Sequence, residues 1–119
     1  MAGVKTVLIV DDEIEICEII GEYLESRGHE VLTAHSGEKG LALILERRPD
    51  VILLDLRLKD ISGIDVLTRL QQLSVFSRVI MISGVDDVEK ISLTRSLGSE
   101  EYLVKPFELE KLDQLVNSE

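Results

Sequence analysis

The chain has 119 residues, 45% of them hydrophobic, which suits one domain over residues 1–119 with a single core and no need of disulfides, and argues against disorder. Its formal net charge of −10, from 23 acidic against 13 basic residues, argues against direct nucleic-acid binding by this domain. Cys17 has no partner for an internal disulfide, no apolar run reaches membrane length, and Met1-Ala2-Gly3-Val4-Lys5 lacks the apolar core of a secretory signal, so a cytoplasmic location without membrane contact is predicted.

Apolar, strand-sized runs alternate with amphipathic stretches, the pattern of repeated βα units around a parallel sheet. The first run, Val7-Leu8-Ile9-Val10, stops at Asp11-Asp12. A helix is predicted from near Glu13, with Ile16, Cys17, Ile20 and Leu24 on its apolar face, Glu15, Glu18, Glu22 and Glu25 on another, and Gly28 as its C-cap. Cys17 thereby reads as core and not as a redox sensor. Glu30 to Ala34 forms a short second strand, and Glu38 to Arg48 a helix burying Leu41, Ala42, Ile44 and Leu45, which Pro49-Asp50 ends.

The third run, Val51-Ile52-Leu53-Leu54, closes on Asp55. Ionised side chains are rarely buried unpaired, and open parallel sheets bind ligands beyond the carboxyl ends of their strands, so Asp55 is a site candidate. A loop through Gly63 leads to a helix over Ile64 to Leu73 facing inward with Val66, Leu67 and Leu70. Val79-Ile80-Met81-Ile82 forms the fourth strand and stops at Ser83-Gly84; a helix over Asp86 to Leu97 follows, ended by Gly98. Tyr102-Leu103-Val104 is the fifth strand, stopping at Lys105-Pro106, and Phe107 to Val116 closes the chain as a helix using Leu109, Leu112, Leu115 and Val116. Five strands and five helices in strict alternation, joined by right-handed crossovers, predict an α/β doubly wound sandwich.

In such a sheet Asp11, Asp12, Asp55, Ser83 and Lys105 share one edge, a set suited to a divalent cation and a phosphoryl group. Adjacent acids repel unless a cation offsets them, so Asp11-Asp12 either bind Mg²⁺ with Asp55 or cap the first helix. Asp55 is either a metal ligand alone or a nucleophile that accepts a phosphoryl group as an acyl phosphate. Lys105 offers the fixed cation such an attack needs, or is an exposed lysine beside a Lys-Pro bond whose cis or trans state the sequence leaves open. Ser83 offers a hydroxyl donor with Gly84 leaving room for close approach, or the pair is a strand-ending turn.

The motifs Val10-Asp11-Asp12-Glu13, Leu53-Leu54-Asp55-Leu56 with Gly63 eight residues on, Ile82-Ser83-Gly84 and Tyr102-Leu103-Val104-Lys105-Pro106-Phe107 occur in order at four strand ends. The chain resembles, over essentially its whole length, the response-regulator receiver domain of two-component signalling. The resemblance implies the flavodoxin-like strand order 2-1-3-4-5 and a phosphorylation switch. Asp55 would take a phosphoryl group from a histidine kinase, a histidine phosphotransfer protein or a small phosphodonor. Asp12 would bind Mg²⁺ directly, Asp11 through water, and the Arg57 main-chain carbonyl would complete the protein ligands. Ser83 and Lys105 would hold phosphoryl oxygens, and Tyr102 would turn inward as Ser83 moves. The resemblance also implies docking through the first helix and nearby loops, a phosphorylation-dependent homodimer through the face of the fourth and fifth helices, and an output partner or effector domain that the sequence does not name.

Some positions depart from the receiver pattern: Lys59 stands where proline is common, Ser83 where threonine is commoner, and Ser96 and Ser99 where alanine is frequent. Arg57 and Val85 would flank the attacking water of dephosphorylation, with Arg57 either covering the acyl phosphate or projecting into solvent. His29 and His35, in or near the second strand and away from the acidic cluster, read as surface or loop residues. A phosphatase of the haloacid dehalogenase type would want an acid at position 57, where Arg57 stands, and a flavodoxin-like phosphate loop would be repelled by Asp11-Asp12. A pseudo-receiver that binds partners unphosphorylated would not need all five site groups. The expected role is a switch that catalyses only its own phosphoryl transfer and slow autodephosphorylation.

Overall fold

The computed structural model describes residues 4–118, the Val88 side chain excepted. Met1 to Gly3 and Glu119, the ends of the predicted domain, lie outside the described residues. The apolar runs become β1 (Thr6–Val10), β2 (Glu30–Ala34), β3 (Val51–Asp55), β4 (Arg78–Ser83) and β5 (Glu101–Val104). All pair in parallel in the order β2-β1-β3-β4-β5, the predicted topology. The helices are α1 (Ile14–Ser26), α2 (Gly37–Arg47), α3 (Gly63–Gln72), α4 (Ile91–Ser96) and α5 (Leu109–Asn117). No helix among the described residues is long and apolar enough to cross a membrane.

Successive strand residues face opposite sides of the sheet, so each run supplies two cores. Val7, Ile9, Val51, Leu53, Ile80, Ile82 and Leu103 pack with Cys17, Ile20 and Leu24 of α1 and Leu112 and Val116 of α5. Leu8, Val10, Ile52, Leu54, Val79 and Met81 pack on the other side with Leu41 and Ile44 of α2 and Val66, Leu67 and Leu70 of α3. Every residue of β3 is buried. Each apolar side chain there contributes about 1.5–3 kcal/mol, enough for the strand to carry a costly carboxylate at its end.

Two helices differ from expectation. In α2, Leu41 and Ile44 are buried as predicted, but Ala42 and Leu45 are exposed. The cause is Gly37 and Gly40, which are buried on the inward stripe: a Cβ at Gly40 would lie 2.9 Å from Val10, and one at Gly37 would collide with Ile61. The helix packs Gly40 against Val10 of β1 and Gly37 against Ile61 and Val66, and so rolls Leu45 outward. It also stops at Arg47, because Arg48, before Pro49, is left-handed (φ 47°).

The helix predicted over Asp86 to Leu97 is a 3-10 turn, Val85–Lys90, followed by the short α4. The Asp87 N–H bonds Gly84 O at 3.1 Å, closing the tight turn, and Thr94 is the one residue of α4 that is fully buried. With so narrow an inward face, packing gives little reason for a continuous α-helix.

A capping contact from a distant loop fixes α2. Its first N–H groups, those of Gly37 and Glu38, donate to the Asp60 carboxylate at 2.8 and 2.9 Å, alongside the local Ser36 cap. These bonds, Glu38 first, hold the Asp60 carboxyl down at about 2 from 3.8. A depressed carboxylate contributes stability above its unfolded value and loses it as pH falls through its folded value. Asp60→Ala is therefore expected to lower the melting temperature at pH 7, with the gap to wild type closing as pH falls from about 4 to about 2. A gap independent of pH would show that the carboxylate charge plays no part.

Candidate functional site

The parallel register brings the ends of β1, β3, β4 and β5 to one edge: Val10 lies opposite Leu54, Asp55 opposite Ile82 and Ser83 opposite Val104. Asp11 follows β1 in the alternation that turns Val7 and Ile9 toward α1 and α5. Asp55 follows Val51 and Leu53, and Lys105 follows Leu103, in the same sense. The three side chains meet: Lys105 Nζ lies 3.1 Å from Asp55 Oδ2, 3.2 Å from Asp11 Oδ2 and 3.4 Å from Glu13 Oε1.

Asp11, Asp12 and Asp55 each offer a carboxylate oxygen, and these atoms lie within 4.8 Å of one another. The capping alternative for the acidic pair does not hold, since the N-cap of α1 is Glu13 and has no side-chain cap bond. Asp11 instead folds back on its own turn, Oδ1 accepting from the Glu13 N–H at 2.9 Å. Three hard oxygen donors on a concave edge fit Mg²⁺, which takes few direct protein ligands and keeps water on its open side.

Asp11 and Asp55 are almost fully buried. Burial first, then the Asp11 charge, pushes the Asp55 carboxyl up to about 6 from 3.8, while Lys105 and the Arg57 N–H at 3.1 Å pull it back. Near neutral pH Asp55 is thus an ionised and poorly solvated carboxylate, the state wanted of a nucleophile. Burial works to lower the Lys105 ammonium, but the Asp55 and Asp11 charges outweigh it and raise its pKa, so the cation is fixed in charge as well as in place.

Ser83 Oγ is buried with no hydrogen-bond partner. An unmet buried hydroxyl costs about 1–3 kcal/mol, a cost that a phosphoryl oxygen at this edge would relieve. A cavity of about 360 Å³ lies at this edge, lined by Gly84 with Asp12, Glu13, Asp55, Arg57, Asp86, Asp87 and Lys105; Ser83 is not part of its lining. Val85 is exposed at the start of the 3-10 turn. Tyr102 is half-buried on β5, its ring 5.4 Å from the Arg95 guanidinium, in a separate cleft with Phe107 and Lys111. The Lys105-Pro106 peptide is cis.

The Arg57 side chain projects into solvent, the second of the two sequence alternatives, and its guanidinium also pairs with Asp87, Nε to Oδ2 at 2.6 Å and Nη2 to Oδ1 at 2.9 Å. His35 is not remote from the acidic cluster, because β2 runs beside β1 and leaves its Nδ1 3.3 Å from Asp11 O. His29 is buried rather than a surface residue, accepting from the Lys5 N–H at 3.2 Å and facing Asp113 at 3.6 Å. Cys17 is core as expected; its thiol donates to Asp11 O at 3.4 Å and is pushed up to about 11 by burial and then by the Asp11 charge. Sequence reasoning missed Glu13 as a Lys105 contact and Asp87 as the Arg57 partner. Adjacency to Asp12 could have suggested the first; nothing local signals the second.

Comparison with known proteins follows this geometry. The model of the response regulator receiver domain matches residues 7–117. The chain is 39% identical over 105 residues to the phosphate regulon transcriptional regulatory protein PhoB of Pseudomonas aeruginosa, covering 87% of this chain and 46% of that protein. It is 28% identical to sporulation initiation phosphotransferase F of Bacillus subtilis, covering 94% of this chain and 90% of that protein. Among solved structures, the chemotaxis protein CheY4 of Vibrio cholerae superposes with a TM-score of 0.88 at 30% identity, covering 96% of this chain and 97% of that one. The chain spans about half the length of the transcriptional regulators it matches, 46% for PhoB and for TcrX of Mycobacterium tuberculosis.

Proposed function

The chain belongs to the response-regulator receiver family, and on that premise we propose that it is a Mg²⁺-dependent phosphorylation switch with Asp55 as phosphoacceptor. The observation that carries this reading is the meeting of Asp11, Asp12 and Asp55 within 4.8 Å, against Lys105, with the unpartnered Ser83 hydroxyl at the end of the neighbouring strand β4. An Asp55 oxygen forms its bond to phosphorus as the P–N bond of a donor phosphohistidine breaks, and the imidazole leaves with the electron pair. The Lys105 ammonium and Ser83 hydroxyl donate to phosphoryl oxygens as charge builds on them. Mg²⁺, held by Asp12, Asp55 and the Arg57 carbonyl with Asp11 through water, would screen the repulsion between carboxylate and phosphoryl group.

Arg57, held by Asp87, supplies no general acid at the position where a turnover phosphatase needs one. The product is therefore a persistent acyl phosphate, whose new charge biases Ser83 and Tyr102 and through them the face of α4, β5 and α5. The donor is a histidine kinase or histidine phosphotransfer protein in the cytoplasm, and the receiver unit spans residues 1–119. Phosphorylation-dependent pairing through that face is part of the same reading. Acetyl phosphate or phosphoramidate with Mg²⁺ is expected to add one phosphoryl group to the intact protein, and Asp55→Asn to abolish the addition. Unmodified mass under conditions that label another receiver would overturn the proposal.

A further inference from the structure

Asp11, Asp12 and Asp55, with Glu13 beside them, set four carboxylates against the Lys105 ammonium, a surplus of negative charge that suits a divalent cation. A second resident cation would compete for the same oxygens, and Arg57 stands within reach. Its own N–H donates to Asp55 Oδ1 at 3.1 Å, so the long side chain springs from beside the cluster. It turns away instead, into a two-point ion pair with Asp87.

The two partners are unequally held. The Arg57 side chain is 71% exposed, whereas that of Asp87 is 3% exposed. The Asp87 backbone is pinned in the 3-10 turn by its bond to Gly84 O at 3.1 Å, and its carboxylate is backed by Lys90 Nζ at 3.6 Å. Asp87 is the anchor and Arg57 the group that would move. A planar guanidinium matches a carboxylate at two points, so the anchor fixes its direction as well as its distance.

Resting on the reading of the Asp55 site above, we propose that Asp87 is a positioning residue that parks the Arg57 guanidinium at the rim of the cavity, keeping it out of the carboxylate cluster so that Mg²⁺ can enter. Once released, Arg57 competes for the oxygens of Asp55 and Asp12, and cation affinity falls.

The test is a double-mutant cycle read as the Mg²⁺ Kd in calorimetric titration, without any phosphodonor. Asp87→Asn is expected to raise the Kd about tenfold. Adding Arg57→Ala, which keeps the carbonyl, is expected to recover most of that loss, so removing the Arg57 side chain matters far more in the Asp87→Asn background than in wild type. An unchanged Kd in Asp87→Asn, or an Arg57→Ala effect of equal factor in both backgrounds, overturns the proposal. Wild type that binds no Mg²⁺ overturns the metal-site reading as well. If Asp87→Asn does not fold, the Arg57 Nε–H resonance of wild type is followed during Mg²⁺ titration: persistence of the ion-paired signal supports parking, and its loss on metal binding contradicts it.

Discussion

Gly63→Ala is expected to destabilise the protein by about 1–3 kcal/mol or more and to slow phosphoryl labelling of Asp55 by about a hundredfold. Gly63 opens α3 where the chain returns to the end of β3, and its N–H bonds Leu56 O at 2.8 Å. An added Cβ would collide with Asp55 O and lie 2.9 Å from Leu56 Cα and 3.1 Å from Asp55 C. These are backbone atoms of a buried strand end, so no flexible side chain can yield. Either α3 lifts off, exposing Val66 and Leu67, or the Asp55 backbone shifts and carries the carboxylate away from Lys105. Gly84→Ala is the control for stability, since its Cβ would meet nothing within 4 Å; its stability should stay within about 1 kcal/mol of wild type. Thermal melts of the two variants and the labelling rate of Gly63→Ala check the claims, and equal losses of stability would refute the close-approach explanation.

Lys105→Ala is expected to act in opposite directions on metal binding and on chemistry. Labelling should fall by about 10²–10³, the usual cost of removing one preorganised donor from a developing anion. Mg²⁺ affinity should rise, by about tenfold, because the ammonium that now contacts Asp11 and Asp55 no longer competes for their oxygens. The pH profile should move as well. Protonation of Asp55 removes the nucleophile, so labelling at subsaturating Mg²⁺ falls as pH drops through about 6 in wild type. Lys105 is one of the groups holding that value down, so in the variant the fall begins at higher pH. A variant that loses labelling and metal affinity together would show instead that Lys105 only holds the site's shape.

The strand ends were legible because two simple rules coincide there. Fully buried strands read as unbroken apolar runs, and a charge closing such a run must face the sheet edge; Asp11, Asp55 and Lys105 meet where that reasoning puts them. Helix faces were less legible where small residues decide the packing. Gly37 and Gly40 carry no hydrophobic signal, yet they set which side of α2 packs inward, Gly40 on Val10 and Gly37 on Ile61 and Val66, and leave Leu45 exposed.

Contacts between loops escaped altogether. Asp60 caps a helix 22–23 residues earlier, and Asp87 pairs with Arg57 30 residues away. Such pairings depend on which loops the topology stacks at one edge, and neither residue differs locally from an ordinary surface acid. His35 shows the same effect: its nearness to Asp11 follows from β2 lying beside β1, a relation between strands that no residue near His35 encodes.

In the proposed switch Asp55, and not a neighbouring acid, carries the phosphoryl group. Phosphorylation at any of the three carboxylates adds the same mass, but an acyl phosphate is reduced by borohydride to the alcohol, turning the modified aspartate into homoserine. After labelling with acetyl phosphate and Mg²⁺, reduction and peptide sequencing by mass spectrometry, the expected result is homoserine at position 55 alone. Homoserine at position 11 or 12, or at none of the three after labelling, would contradict it.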